Sequence, residues 1–488
     1  MNDPRQAVRA PEAFEFSVDR LDSRISLSQQ IYDRLRDAIA GRALRPGARL
    51  PSTRSLASAL GVARGTVEAA YQRLAGEGYV LAQGAAGTVV SPHLTPTRVT
   101  PSVTPSRVRD DERTRPALPD GWRAEPPLPL QLGIPALDVF PRKLWSRLAG
   151  RRVRAQAVAD LAYGDPVGYR PLRDAIAGYL LVSRGVRCRA EQVVITAGYR
   201  ASLSLIERAL LRTGDQVWVE DPCHLPTRAV LTRCAMRVCP IPVDGEGLVV
   251  EEGVRRAPHA AMAVVTPSHQ APLGVSMSLP RRLKLLEWAS AARAWIVEDD
   301  YDGEFRYSGF PLPALKHLDT HDRVLYAGSF SKVLAPGLSL GYLVVPKRLI
   351  PAFADALDAS AAGVPWLTQA VVADFIDAGH LARHLKKMRA LYARRRAWLC
   401  EALTEVFAQR VQIDLAHGGM HLVVRLAGRT GDRTLAQRAQ RAGLNCQPLS
   451  ARYAAGSGPD GLLMGFTNVA SLDEARRIAR RLQHAFGS

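Results

Sequence analysis

Lys332 lies in the stretch VLYAGSFSKVLAPGLSLGYLVV, residues 324–345, between an apolar strand-like run and a Pro/Gly loop. It is one of only seven lysines among 65 basic residues, the others all being arginine. Three further groups of residues share its setting. AWIVEDDYDGEF carries Asp299 and then Tyr301, SFSK places Ser329 and Ser331 just before the lysine, and VVITAGYRASLSL turns from strand to helix at Gly198, Tyr199 and Arg200. Alone, Lys332 reads as a surface lysine, and Asp299 with Asp300 as helix caps or a metal pair. Together the residues supply what an aldehyde cofactor, pyridoxal phosphate (PLP), requires. These are a lysine for a Schiff base, a carboxylate to keep the pyridine nitrogen protonated, a donor to the phenolic oxygen, and helix amides and hydroxyls around the phosphate.

These residues need elements that bring them to one place. Each candidate follows an apolar run that reads as a strand, and open α/β sheets bind ligands at the carboxyl ends of their strands. From about residue 130 onward, runs such as QVVITAG, DQVWVED, AMAVVTPS, AWIVEDD and RVLYAGS alternate with helical patterns such as RASLSLIERALLR and RRLKLLEWASAA. That rhythm predicts βαβ units and a mixed, mostly parallel sheet flanked by helices. Residues 92–129 are dense in Pro, Thr and Arg and poor in large apolar residues. They read as an extended linker, because such a segment buries too little surface to offset its ordering entropy.

Residues 25–91 form a separate pattern. Ile31, Leu35, Ile39 and Leu44 fall near helical spacing before a break at Pro46-Gly47. Ser52 is placed to cap a second helix carrying Leu56 and Leu60, Gly61 makes a turn, and VARGTVEAAYQRLAGEGYV starts a third helix. This is a helix-turn-helix, whose last helix enters the DNA major groove. GYVLAQGAAGTVVSP then supplies two short β-prone runs around a Gly-rich tip, a wing.

With 488 residues the chain is long enough for two or three domains. Its net charge of +19 favours polyanionic partners, yet residues 1–130 hold only about +4 of it, so charge alone does not specify DNA. The six cysteines (Cys188, Cys223, Cys234, Cys239, Cys400 and Cys446) lack paired metal spacing and read as reduced thiols of a cytosolic protein. No apolar run of ~20 residues predicts a membrane span, and MNDPRQAVRAPEAFEF lacks the apolar core of a secretory signal.

Residues 25–91, including RPGARLPSTRSLASALGVARGTV, resemble the winged helix of the GntR family of bacterial repressors. The resemblance implies contacts to double-stranded operator DNA from Arg54, Arg64, Gly65, Thr66 and Gly87. Ala63 departs from the family's polar cap and should weaken the third helix start by ~1 kcal/mol. From about residue 130 the chain resembles the fold-type I aminotransferases, and most of all the MocR/GabR group, which joins a GntR-type winged helix to such a domain. The motifs are YGDPVGYRPLRDAIAGYLLVSRGV, VEDPCHLPTRAVL, VVTPSHQAPLGVSMSLPRR, IVEDDYDGEFRY and HLKKMRALYARRR. The implied fold adds a small C-terminal α+β subdomain to the main sheet.

The same resemblance implies that Lys332 carries PLP, Asp299 pairs with the pyridine nitrogen and Tyr301 donates to the phenolic oxygen. Gly198, Tyr199, Ser329 and Ser331 line the phosphate, and Tyr163 reaches the phosphate of a partner subunit. His224 falls where relatives stack an aromatic ring on the cofactor, and His269 falls beside it; taken singly, both read as satisfied loop histidines. Two departures stand out. Ser339 occupies the position of an arginine that anchors the phosphate, so a neighbouring cation, Arg200, is assigned as its replacement. The arginine that binds a substrate carboxylate before the last strand is also absent from GPDGLLMGFTN, leaving Arg452 and Arg425 as alternatives.

The expected domains are an N-terminal extension (1–24), a winged helix (25–91), a linker (92–129) and a PLP-binding effector domain (130–488). The expected function is a PLP-dependent transcriptional regulator, cytoplasmic and without membrane contact, acting as a head-to-tail homodimer. Its effector would be an amino acid, an amine or PLP itself. An active aminotransferase with a DNA-binding module and a regulator that has lost PLP are the alternatives. The missing carboxylate arginine argues against efficient transamination, and Ser339 keeps the PLP-free alternative open.

Overall fold

Three helices and a hairpin make the first body of the computed structural model, which describes residues 25–84, 87–92, 94, 126–308, 313–359, 363–427, 431–454 and 458–487. The expected N-terminal extension and nearly all of the expected linker lie outside the described residues. The chain divides into two compact units, residues 1–122 and 123–488.

In the first unit, the Ser26 side chain accepts the Gln29 amide (3.2 Å) to start helix α1, Leu27–Ala40. Leu44 falls outside that helix, which stops at Gly41; its amide instead bonds Ala38 O at 3.0 Å. Ser52 caps α2, Thr53–Leu60, by accepting the Ser55 amide (3.1 Å), and Gly61 ends it in the left-handed conformation (φ 60°). Helix α3, Arg64–Gly76, begins at Ala63 with no side-chain cap. Strands β1, Val80–Ala82, and β2, Thr88–Val90, pair antiparallel as the wing. Ile31, Val67, Leu74, Val80 and Val90, one or more from each of these elements except α2, are wholly buried in a shared core that Leu56 and Leu60 of α2 complete.

The second unit is built on an eight-stranded sheet in the order β3-β10-β9-β8-β7-β4-β5-β6. Its strands are β3 (Val193–Thr196), β4 (Gln216–Asp221), β5 (Arg237–Asp244), β6 (Gly247–Leu248), β7 (Met262–Val265), β8 (Trp295–Asp300), β9 (Val324–Ser329) and β10 (Gly341–Val344). Strands β5, β4, β7, β8 and β9 run parallel, β6 pairs antiparallel with β5 at one edge, and β10 lies antiparallel between β3 and β9. Alternate residues of β4 show that both faces are covered. Val217 and Val219 pack with Leu203 and Ile206 of helix α6 (Tyr199–Leu210), whereas Trp218 packs on the other side and stacks at 3.7 Å on Trp288 of helix Leu279–Ala291. Helices α4 (Arg142–Arg154), α5 (Arg170–Arg184) and α7 (Leu225–Arg233) belong to the same unit. A second, antiparallel sheet of β11 (Val411–Asp414), β12 (His421–Leu426), β13 (Gln447–Pro448) and β14 (Leu462–Gly465) has the order β11-β12-β14-β13; helices His380–Phe407 and Leu472–Phe486 accompany it. No helix of the described residues is long and apolar enough to cross a membrane.

Candidate functional site

The register around β10 assembles the cofactor candidates. Gly341 opposes Thr196 at the end of β3 on one side and Ser329 at the end of β9 on the other. The chain leaves β3 through Gly198 (φ 99°), a conformation that suits glycine, and enters α6 at Tyr199. It leaves β9 through Ser329, whose hydroxyl accepts the Ser331 amide (3.2 Å), directly into the turn that carries Lys332. Free α6 amides, two serine hydroxyls and a lysine thus meet at one sheet edge. Apart from its own chain neighbours, no described atom lies within 4 Å of where a Gly198 side chain would start, so the cradle is open.

Burial lowers the Lys332 ammonium from its ordinary value, with the Asp302 and Asp299 carboxylates opposing the shift. Its Nζ donates to the Gly133 carbonyl at 2.7 Å, a partner far away in sequence that nothing in the sequence marks. One strand over, β8 alternation points Asp299 and Asp300 to opposite faces. Asp300 belongs to the scaffold, accepting from Arg184 Nε and Tyr326 Oη, each at 2.6 Å. Asp299 is 6% exposed and accepts no hydrogen bond from the described residues; burial and then Asp300 raise its pKa well above the carboxylate range. A buried, unpartnered carboxylate calls for a cationic or protonated partner. The residues therefore fit PLP: Lys332 for the aldehyde, Asp299 for the ring nitrogen, and the α6 amides with Ser329 and Ser331 for the phosphate.

The remaining candidates divide. Tyr199 Oη and Thr227 Oγ1 are 2.8 Å apart, and the Tyr199 ring lies 5.8 Å from His224, the residue that starts α7. Burial, then the charges of Lys332, Arg452 and Arg200, push His224 down to about 3, which keeps it neutral. Tyr301 follows β8 and its hydroxyl lies 2.9 Å from His269 Nδ1, so His269 meets Tyr301. Arg200 is exposed and forms no hydrogen bond among the described residues. Ser339 is also exposed, in the left-handed region (φ 45°), two residues before Gly341 at the same sheet edge. Tyr163 is fully exposed and is not brought to the other candidates within one chain.

The two alternative arginines separate clearly. Arg425 pairs with Asp414 (3.1 Å) and donates to Asp460 O, whereas Arg452 has no acidic partner among the described residues. The Arg452 loop is pinned to the segment before α7, since Cys223 N donates to Arg452 O (3.2 Å) and Ala454 N to Asp221 Oδ1 (2.7 Å). Arg228 of α7, which the sequence did not single out, has a buried, unpartnered Nη1.

In the winged helix, Arg54 at the start of α2 and Arg64 and Gly65 at the start of α3 are exposed, while Thr66 is half-buried and donates its amide to Ala63 O. Neither arginine has an ion pair among the described residues. Gly87 lies in the wing, where the Arg49 side chain packs against it. Arg49 also bridges Val89, joining the segment before α2 to the wing. The sequence carried no signal for that contact.

Comparison with known proteins agrees with both units. Residues 27–90 match the gntR family of bacterial regulatory proteins, and residues 143–459 match aminotransferase class I and II. The chain is 35% identical over 456 residues to the probable rhizopine catabolism regulatory protein MocR of Rhizobium meliloti, covering 93% of this chain and 92% of that one. It is 35% identical over 446 residues to the HTH-type pyridoxine biosynthesis transcriptional regulator PdxR of Corynebacterium glutamicum, covering 90% and 92%. Among solved structures, a kynurenine aminotransferase of Pyrococcus horikoshii, in complex with PMP, superposes with a TM-score of 0.66 at 30% identity, covering 74% of this chain and 92% of that one. The protein belongs to the MocR/PdxR family of HTH-type transcriptional regulators, in which a GntR-type DNA-binding domain is joined to an aminotransferase-like domain.

Proposed function

We propose that this protein is a PLP-dependent regulator whose aminotransferase-like domain holds PLP through Lys332 and senses an amino compound, or PLP itself, to control operator binding. The carrying observation is that Gly341 brings the amino end of α6 and Ser329, which leads into Lys332, to either side of one strand, with the Asp299 carboxylate acting on Lys332, in a chain that also has a winged helix. When bound, PLP supplies an aldehyde carbon that amines attack, with its ring as an electron sink. The chain's own residues do the rest. Asp299 would pair with the ring nitrogen, neutral His224 would lie against the ring, and Arg452 with Arg228 would receive an effector carboxylate. Arg200 supplies the phosphate with the cation that Ser339 lacks.

DNA is held by Arg54, Arg64, Gly65, Thr66 and Gly87, with the arginines at helix starts reaching base edges or phosphates. Residues 1–24, 25–91, 92–129 and 130–488 serve as extension, DNA-binding domain, linker and effector domain of a cytoplasmic, head-to-tail homodimer. Support for a dimer comes from exposed Val158, Leu161 and Tyr163, an apolar run that a partner would cover. Two winged helices then read a two-part operator spaced by whole helical turns.

The test is an absorbance spectrum of the full chain with PLP, together with DNA retardation with and without PLP and amino acids. A visible band lost in Lys332→Ala, and operator affinity that changes with the ligand, are expected. A colourless protein whose DNA binding ignores PLP overturns the reading and favours the PLP-free regulator that Ser339 suggests. Sustained conversion of amino acids to oxo acids favours the enzyme instead.

A further inference from the structure

Behind Tyr301 lies a buried polar group that the proposed function leaves unused. His269 Nδ1 is 2.9 Å from Tyr301 Oη and 3.2 Å from Asp302 Oδ2. His269 and Asp302 are 6% and 2% exposed, and Asp302 accepts a hydrogen bond at neither oxygen. The imidazole is held tightly, because a side chain on Gly419 would start 2.1 Å from His269 Cε1. On its far side Nε2 is buried and unpartnered, as is Arg306 Nε. His269, Asp302 and Arg306 line one cavity of about 20 Å³, with Arg184, Ser268 and Ser276 also in its wall. His421 approaches edge-on at 5.8 Å.

These contacts decide where the protons sit. A bare Nδ1 lone pair 3.2 Å from a buried carboxylate is repelled, so the Asp302 charge keeps a proton on Nδ1. That N–H points to Tyr301 Oη, which must then accept. The tyrosine's own hydrogen is left to donate elsewhere. Nε2 is then an acceptor, and the cavity has room for one water. Such a water accepts from Arg306 Nε and donates to His269 Nε2 and Asp302 Oδ1, satisfying three buried atoms at once.

We propose that Asp302 and His269 are positioning residues that commit the Tyr301 hydroxyl hydrogen to the cofactor side of the site, where it meets the phenolic oxygen of PLP. This rests on the PLP reading above. A donor to that oxygen favours its anionic form, so the pH midpoint of the visible band should lie lower with the donor than without it. The charged groups acting on Lys332, Asp299 and His224 are Asp302, Asp299, Lys332, Arg200 and Arg452, with Glu220 and Asp300 acting on Asp299.

The test titrates the visible band of the PLP-loaded full chain. Tyr301→Phe calibrates the donor and should raise the midpoint by about one to two pH units, the worth of a hydrogen bond to a charged group. Asp302→Asn keeps the shape and removes the charge; because the Asp302 carboxylate also favours a proton at Lys332 directly, the effect is read between two backgrounds, and the Asp302→Asn shift should lie about half a pH unit or more above the shift it causes in the Tyr301→Phe background. An Asp302→Asn shift equal to or below the one it causes in the Tyr301→Phe background, with Tyr301→Phe itself shifted, overturns the proposal. Should Asp302→Asn fail to fold, selective ¹⁵N-histidine labelling of the unaltered protein reads the tautomer directly. Nδ1-protonated His269 is expected, and Nε2-protonated His269 refutes the proposal. A protein with no visible band that Lys332→Ala removes refutes the PLP reading instead, while the tautomer still tests the hydrogen-bond arrangement.

Discussion

Replacing Ser339 with arginine should tighten PLP binding, and the structure sets the size of the gain. Ser339 lies two residues before β10, and Gly341 of that strand is in register with both Thr196 and Ser329 at the open cradle over Gly198. The position is exposed and already carries a Cβ at φ 45°, so an arginine adds no new backbone strain and has room to extend. A hydrogen bond to a charged group is worth about 1.5–3 kcal/mol, and solvent exposure reduces this to about 1–2 kcal/mol. At about 1.4 kcal/mol per decade, PLP should bind about 5- to 30-fold tighter. Titration of the apo-protein with PLP, followed by the visible band, measures it. Arg200→Ala should weaken binding by a similar factor, and Ser339→Arg should restore most of the loss in the double variant. An unchanged or weaker affinity in Ser339→Arg, with the band still formed on Lys332, refutes the placement of the phosphate. An Arg200→Ala affinity equal to that of the unaltered protein refutes only the role given to Arg200.

Asp300→Asn removes the carboxylate from Arg184, which is 4% exposed, and should lower stability by about 3–5 kcal/mol in urea unfolding; a change below about 1 kcal/mol contradicts the scaffold role. His421, whose Nε2 donates to Pro272 O (2.8 Å), is pushed down to about 4, first by burial and then by His269. The unfolded chain therefore binds the extra proton first, and this group's contribution falls by up to about 3 kcal/mol as pH drops from about 6.5 to 4. Glu220 and Glu298, raised by burial to about 7, act in the opposite sense as pH falls from about 7 to 4.5, so the quantity to measure is the difference between His421→Asn and the unaltered protein. The variant should lose less stability on acidification. Arg64→Ala should leave the melting temperature unchanged, because the side chain is exposed, and should reduce the slope of log affinity against log salt by about 1. An unchanged slope would remove Arg64 from the phosphate contacts.

The sequence by itself determined the parts whose physics is local. Ser52 and Gly61 bound a helix through their own side chain and backbone, so the winged helix could be read from capping and turn residues. Lys332, Asp299 and Gly198 each follow an apolar run, so their place at strand ends was readable too. Tertiary structure decided which strand ends meet. The insertion of β10 between β3 and β9 places Thr196 and Ser329, more than a hundred residues apart, on either side of Gly341. Strand order and register follow from burying both faces of the whole sheet while pairing its backbone, and no single segment carries that information. The Gly133 carbonyl on Lys332, the pairing of Arg425 that leaves Arg452 available, and the contact of His269 with Tyr301 share this origin. Each depends on which side chain finds a partner, and only the folded chain fixes its neighbours.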